Sequence, residues 1–366
     1  MRKARTKKIL ITIIVVVILI AAGLGVYSIY GMSKINELAE MNFAEMLAYT
    51  TKENKEAVIT VGIIQNGTMT YDVYGENGHK LAPQEYIYEI GSITKTFTTS
   101  LLCKAISEGK ISLDHSIDEY LQLPDKEYYP TIKRLVTHTS GYKEFYFEKP
   151  MIGNFLQGRN DFFGITEEML ISRIGKLNLE NSDYPFRYSN FGMSTVGLIL
   201  EQVYNKDFTS LMNSYIADEL KLKNAKISDK TGDLKNYWDW SPSDAYMPAG
   251  ALLSDITDMM SYAQMQLIGK PEYLATAQTE LAEVSTANET YQKMGIRMDA
   301  VGAGWMIDKE NNIIWHNGAT GNYNSYIGFD QNQQIGVVVL SNLAPDYRIP
   351  ATVMGIEILT SLQATN

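Results

Sequence analysis

A single cysteine, Cys103, stands among the 366 residues, so no intramolecular disulfide can staple the chain, whatever its compartment. It lies among Leu101, Leu102, Ala105 and Ile106, surroundings that suit a buried helix residue better than a reactive thiol. Histidine is scarce as well. Four scattered residues show no H-E-x-x-H or comparable ligand spacing, so the sequence indicates no metal site. No phosphate-cradling glycine loop, internal repeat or low-complexity segment occurs, and no cofactor is implied. Positive charge is in deficit. Five of the 32 Lys and Arg fall in the first eight residues, MRKARTKK, leaving 27 against 42 Asp and Glu from Ile9 onward. That net −15 disfavours nucleic acid as a partner.

What is present is a composition of 45% hydrophobic and 20% charged residues, which fits one large globular unit or two intimately packed subdomains. Ile9 to Tyr30 is almost wholly apolar, long enough as a helix to cross a hydrocarbon core of about 30 Å. The expectation is a cytoplasmic basic segment at 1–8, a transmembrane anchor at 9–31 and an extracytoplasmic domain at 32–366, because basic residues stay inside. A cleavable signal peptide, cut near Ala21, Ala22 and Gly23, is the second reading.

Ser33 to Lys55 reads as a helix through Ile35, Leu38, Ala39, Met46 and Leu47. Val58 to Gln65 and Met69 to Tyr74 read as strands joined by Asn66-Gly67, a hairpin signal. Near the C-terminus, Gly304 to Asp308, Ile313 to His316, Tyr323 to Asp330 and Ile335 to Asn342 read as an antiparallel meander, and Ala351 to Leu362 as a helix that packs on it. An α/β (α+β) fold follows, with one antiparallel sheet assembled from both chain ends and a helical insert at roughly 100–290.

A serine three residues before a lysine places both side chains on one helix face, where the amine can help activate the hydroxyl. The pattern occurs three times, at Ser92/Lys95, Ser107/Lys110 and Ser140/Lys143. Context selects the first. Ser92 follows Gly91 and precedes an apolar helix ended by Gly109, so it sits at a helix N-terminus, where backbone N–H groups stabilise developing negative charge. Ser107/Lys110 straddles the terminating glycine, and Ser140-Gly141 looks like a turn.

The stretch YEIGSITKTFTTSLLCKAISEGKISLDHSIDEYL resembles the first motif region of class C β-lactamases and related D-alanyl carboxypeptidases and esterases, within the superfamily of serine β-lactamases and penicillin-binding proteins. The resemblance continues in order through TIKRLVTHTSGY, FRYSNFGMSTVGLILEQV, PAGALLSDITDMMSYAQ and GAGWMIDKENNIIWHNGATGNYNSYIGFDQNQQIGVVVLSN. It implies the β-lactamase/transpeptidase-like fold, with Ser92 as nucleophile and Lys95 and Tyr188 as its proton-handling partners. In the second motif, Tyr188-Ser189-Asn190, it makes Asn190 a hydrogen-bond partner of Lys95 or of the substrate amide.

For the third motif, a literal Lys230-Thr231-Gly232 competes with His316-Asn317-Gly318. The lysine stands in the polar run SDKTGDLKN, whereas His316 ends the apolar strand IIW, so the histidine segment is preferred. By resemblance, His316, Gly318 and Ala319 line the substrate site, and the N–H of Ala319 joins that of Ser92 as an oxyanion hole. The other histidines, His79, His115 and His138, carry no such context, and His138 is expected to support a loop. Tyr142, Phe145, Tyr146 and Phe147 read first as packing.

The reaction so implied is acyl transfer to Ser92 and hydrolysis of the acyl-enzyme, with either Lys95 or Tyr188 as base. The expected partners are a D-alanylated cell-envelope polymer or a peptidoglycan stem peptide, with acylation by β-lactams possible. The D-alanyl ester of teichoic acids is favoured over terminal D-Ala-D-Ala, because histidine in place of lysine offers no permanent cation for a substrate carboxylate. A β-lactamase and a non-catalytic penicillin sensor are the remaining readings.

Overall fold

Asn66 and Gly67 both adopt positive φ, +49° and +80°, as the two central residues of a type I′ hairpin turn require. They join β1, Ile59–Gln65, to β2, Thr68–Tyr74, with Gln65 opposite Thr68. The computed structural model describes residues 38, 40–227, 237–284 and 289–365. The expected anchor at 9–31 and the Lys230-Thr231-Gly232 segment lie outside them. Among the described residues no helix is long and apolar enough to cross a membrane.

Three very short strands follow: β3, Tyr88–Glu89; β4, Lys226–Ile227; and β5, Leu252–Ser254. The C-terminal part supplies β6, Ala282–Glu283; β7, Ala300–Val301; β8, Met306–Asp308; β9, Ile313–Ala319; β10, Asn324–Asp330; and β11, Ile335–Ser341. Among the described residues they make an eight-stranded sheet in the order β2-β1-β11-β10-β9-β8-β7-β6, antiparallel at each pairing, and a small sheet ordered β3-β5-β4. The N-terminal hairpin thus pairs with the last strand, so the sheet does draw on both chain ends. The small sheet was not expected; strands of two or three residues are too short to show alternation.

Side-chain alternation splits β11 between two cores. Val338 and Leu340 join the larger cluster with the helical layer, and Ile335, Val337 and Val339 face the other side. That side is covered by α1, Phe43–Thr50, and by the C-terminal helix Ala351–Thr365. Of the helix expected at 33–55, residues 33–37 and 39 lie outside the described ones; α1 begins after Asn42, where Asn42 and Glu45 form a capping box, and ends at Thr50. The larger core contains α2, Thr94–Ser107; α3, Asn190–Tyr204; and α4, Ile256–Ile268.

Candidate active site

Helix α2 is buried along nearly its whole length, an unusual place for the sequence TKTFTTS. Its hydroxyls are satisfied by turning back on the helix: Thr96 Oγ1 donates to Ile93 O at 2.8 Å and Ser100 Oγ to Thr96 O at 2.7 Å. Phe97 stacks on Tyr262 of α4 with ring centroids 3.8 Å apart. The helix is therefore a fixed platform. Ser92 sits in the 3₁₀ turn Gly91–Ile93 that leads into it, where the first N–H groups lack intrahelical acceptors.

Lys95, one turn on, is fully buried. Its Nζ lies 2.9 Å from Ser92 Oγ and donates to the carbonyl of Ala249 at 2.7 Å. Burial drives the amine well below its ordinary pKa, with the charge of Glu144 pulling the other way. A neutral amine keeps a lone pair that can accept the serine proton.

Tyr188 also hydrogen-bonds Ser92, and burial pushes its phenol above the ordinary value, so it stays protonated at neutral pH. Lys95 Nζ lies 4.9 Å from the centre of the Tyr188 ring. Two histidines flank that ring, His138 at 4.7 Å and His316 at 6.3 Å between centroids. Both are held near a pKa of about 3, by burial first and the neighbouring Lys95 second. His316 Nδ1 lies 2.6 Å from Asn317 O, which fixes Nδ1 as the protonated nitrogen and leaves Nε2 as a buried, unpartnered acceptor.

Strand β9 borders Ser92 because its partner β8 ends opposite Trp315, leaving His316 to Ala319 paired only with β10. Thr320 N donates to Tyr323 O at 2.9 Å. Hydrogen-bonded pairs alternate along an antiparallel ladder, so the Ala319/Asn324 pair is a non-bonded one and the Ala319 N–H points away from β10. It points at Gly91. A Cβ on Gly91, which has φ +49°, would lie 2.5 Å from Ala319 N, and one on Gly318 would lie 1.9 Å from Ile90 O. Glycine at both places lets the backbones of the Ser92 turn and of β9 approach this closely, which is what the expected oxyanion hole of the Ser92 and Ala319 N–H groups requires.

His316, Gly318 and Thr320 alternate onto the same face as the nucleophile turn. Thr320 Oγ1 donates to Glu89 Oε2 at 2.5 Å, while Trp238 N donates to Glu89 Oε1 at 2.7 Å. The buried Glu89 thereby ties the end of β9 to the strand preceding Ser92, and burial raises its carboxyl to about 7.

The structure thus gathers Ser92, Lys95, Tyr188, His316, Gly318 and Ala319 into one site. Asn190 opens α3 beside them, but it does not bond Lys95; the Ala249 carbonyl takes that place. Sequence reasoning had given Ala249 no role, although PAGALLSD was part of the resemblance. His138 does support a loop, accepting from Ser189 N at 3.2 Å and from Arg187 N at 2.8 Å, yet its ring also packs on Tyr188. The His115 ring contacts Glu119 and Tyr120 at an exposed position. Tyr142 and Tyr146 pack on Phe191, as expected of a packing cluster, whereas Phe145 and Phe147 remain exposed.

Residues 43–353 match the family model described as Beta-lactamase. Protein flp of Staphylococcus aureus is 22% identical over 286 residues, covering 71% of this chain and 53% of that protein, so the chain spans about half the length of this relative. Among solved structures, a β-lactamase/D-alanine carboxypeptidase from Yersinia pestis superposes with a TM-score of 0.70 at 17% identity, covering 90% of this chain and 98% of the other. The octameric penicillin-binding protein homologue from Pyrococcus abyssi gives 0.68 at 23% identity, covering 87% and 75%. At these identities the structures testify to the fold.

Proposed function

The chain belongs to the β-lactamase family of serine hydrolases, and from that premise we propose that it is a membrane-tethered hydrolase that releases D-alanine from D-alanyl esters of teichoic acid on the extracytoplasmic face. The single observation that carries the ester over the peptide is His316: buried, at the third-motif position, and with a pKa of about 3. It offers no cation to the terminal carboxylate of D-Ala-D-Ala, and Lys95 is itself depressed. An ester substrate has no such carboxylate. The tether rests on the apolar run Ile9 to Tyr30 behind its five basic residues.

In the proposed mechanism neutral Lys95 takes the Ser92 proton, and Oγ attacks the ester carbonyl while the N–H groups of Ser92 and Ala319 hold the oxyanion. Protonated Tyr188 gives its proton to the departing alkoxide and is reprotonated through Lys95. Water, activated by the same pair, then frees D-alanine from Ser92. This division of labour, amine as base and phenol as donor, follows from their opposite pKa shifts.

A D-alanyl-D-alanine carboxypeptidase is the second reading, favoured by Asn190, whose side chain does not bond Lys95 and so stays available to a substrate amide. The test gives the full chain in detergent D-alanylated teichoic acid and a D-Ala-D-Ala pentapeptide side by side and measures released D-alanine. Release from the teichoic acid, abolished by Ser92→Ala, is expected. Release from the pentapeptide alone overturns the ester reading.

A further inference from the structure

The loop that follows His138 is strapped to the second motif. Ser189 Oγ donates to Lys143 O at 2.7 Å, and Phe191 N donates to Glu144 O at 2.9 Å, one residue beyond Asn190. Gly141, with φ +81°, turns the chain into this position against Tyr184, leaving no room for a Cβ. The backbone of Glu144 is thus fixed beside Tyr188 and Asn190. Its side chain is exposed. Among the described residues its carboxylate has neither an ion pair nor a hydrogen bond of its own, and no other carboxylate acts electrostatically on both Lys95 and Tyr188. Glu89, also close to the nucleophile turn, is saturated by Thr320 and Trp238 and lies buried.

We propose that Glu144 receives the free α-ammonium of the acyl donor, so that the site selects aminoacyl groups with an unblocked amine. This rests on the esterase reading above and sharpens it. An acyl group whose carbonyl oxygen lies between the Ser92 and Ala319 N–H groups carries its α-nitrogen one carbon away from the reacting atom. A D-alanyl ester presents that nitrogen as a cation. The penultimate D-alanine of a stem peptide presents it as a neutral amide, to which a carboxylate offers a hydrogen bond but no charge pairing.

Glu144 has a physical cost that argues for such a ligand. Its negative charge favours protonation of Lys95 and so opposes the base. A bound ammonium cancels that opposition, so Lys95 keeps its neutral form when the right acyl group is in place. Selection then shows in turnover as well as in binding.

The test is calorimetric binding of the boronic acid analogue of D-alanine and of its N-acetyl derivative to the full chain in detergent. On binding, an Oγ–B bond forms, no bond to carbon breaks, and the serine proton passes to Lys95. Wild type is expected to favour the free amine by about tenfold, a ratio that falls close to unity in Glu144→Gln and inverts in Glu144→Lys. A wild-type ratio near unity, a ratio that survives Glu144→Gln, or binding of neither compound overturns the proposal. Because no turnover is needed, failure to release D-alanine from teichoic acid sinks the esterase reading separately and leaves this ratio standing.

Discussion

Helix α2 is bracketed twice by the same kinds of residue: Glu89, Gly91, Ser92 and Lys95 before and inside its first turn, and Ser107, Glu108, Gly109 and Lys110 at its end. At the far end the pair is inert. Ser107 Oγ donates to the Lys104 carbonyl at 2.7 Å, and the exposed Lys110 pairs with Glu108 at 2.8 Å. At the near end Lys95 is buried against Ser92 and the Ala249 carbonyl, with no carboxylate paired to it. Identical spacing therefore means nothing by itself. What sets Ser92 and Lys95 apart is the sign of the helix terminus, which favours negative charge only at the start, and the burial that disfavours the charged form of the amine.

The largest effect should come from removing the two lysines in turn. Lys95→Ala is expected to lower kcat/KM on the order of 10³-fold, the scale of a lost general base, while Lys110→Ala stays within about twofold. A comparable loss from both would show that the end of the helix had been misassigned. Next come the two glycines, both at positive φ: +49° for Gly91 and +69° for Gly109. A Cβ at Gly109 meets nothing within 4 Å, so Gly109→Ala should cost about 1 kcal/mol in denaturant unfolding and leave kcat alone. At Gly91 the same methyl runs into the Ala319 backbone. Gly91→Ala should therefore displace one oxyanion donor and lower kcat by ~10²–10³, well beyond what its stability change explains. Unchanged kcat in a folded Gly91→Ala protein would remove Ala319 from the oxyanion hole.

How far these differences can be read from sequence depends on what kind of atom carries them. The Asn66-Gly67 hairpin, the C-terminal meander and the Gly91 context were legible because side-chain type and period report them directly. Ala249 was not. It acts through a backbone carbonyl, which every residue possesses, so only the string PAGALLSD marked its neighbourhood. Glu89 was missed for a different reason: its partner Thr320 is 231 residues away, and no local pattern announces such a pairing. His138 looked like a loop residue and is one, but its ring also packs on Tyr188, a contact that no local pattern announces. The break at Asn42 was not legible because apolar spacing runs on past it, and the capping box there begins α1.

The two glutamates provide the finest comparison, since their surroundings shift them in opposite directions. Burial, only partly offset by the hydrogen bonds from Thr320 and Trp238, raises Glu89 from an ordinary 4.5 to about 7. The folded state then holds its proton more tightly than the unfolded chain. Stability from this group is present below pH 4.5 and is lost as pH rises towards 7, by at most about 3 kcal/mol at 1.4 kcal/mol per pH unit. Glu108 is lowered to about 2, chiefly by Lys104 and then Lys110, so its contribution is present above pH 4.5 and is lost as pH falls through 2. Being largely exposed, it is worth no more than a surface pair, below about 1 kcal/mol. In urea unfolding at pH 4.5 and pH 8, Glu89→Gln should gain stability relative to wild type at the higher pH. Glu108→Gln should lose a little relative to wild type at pH 8 and approach it in acid. If Glu89→Gln showed no pH-dependent difference from wild type, the carboxylate would have to be ionised in both states. The clasp between β3 and the end of β9 would then be an ordinary charged hydrogen bond rather than a buried acid held against its desolvation.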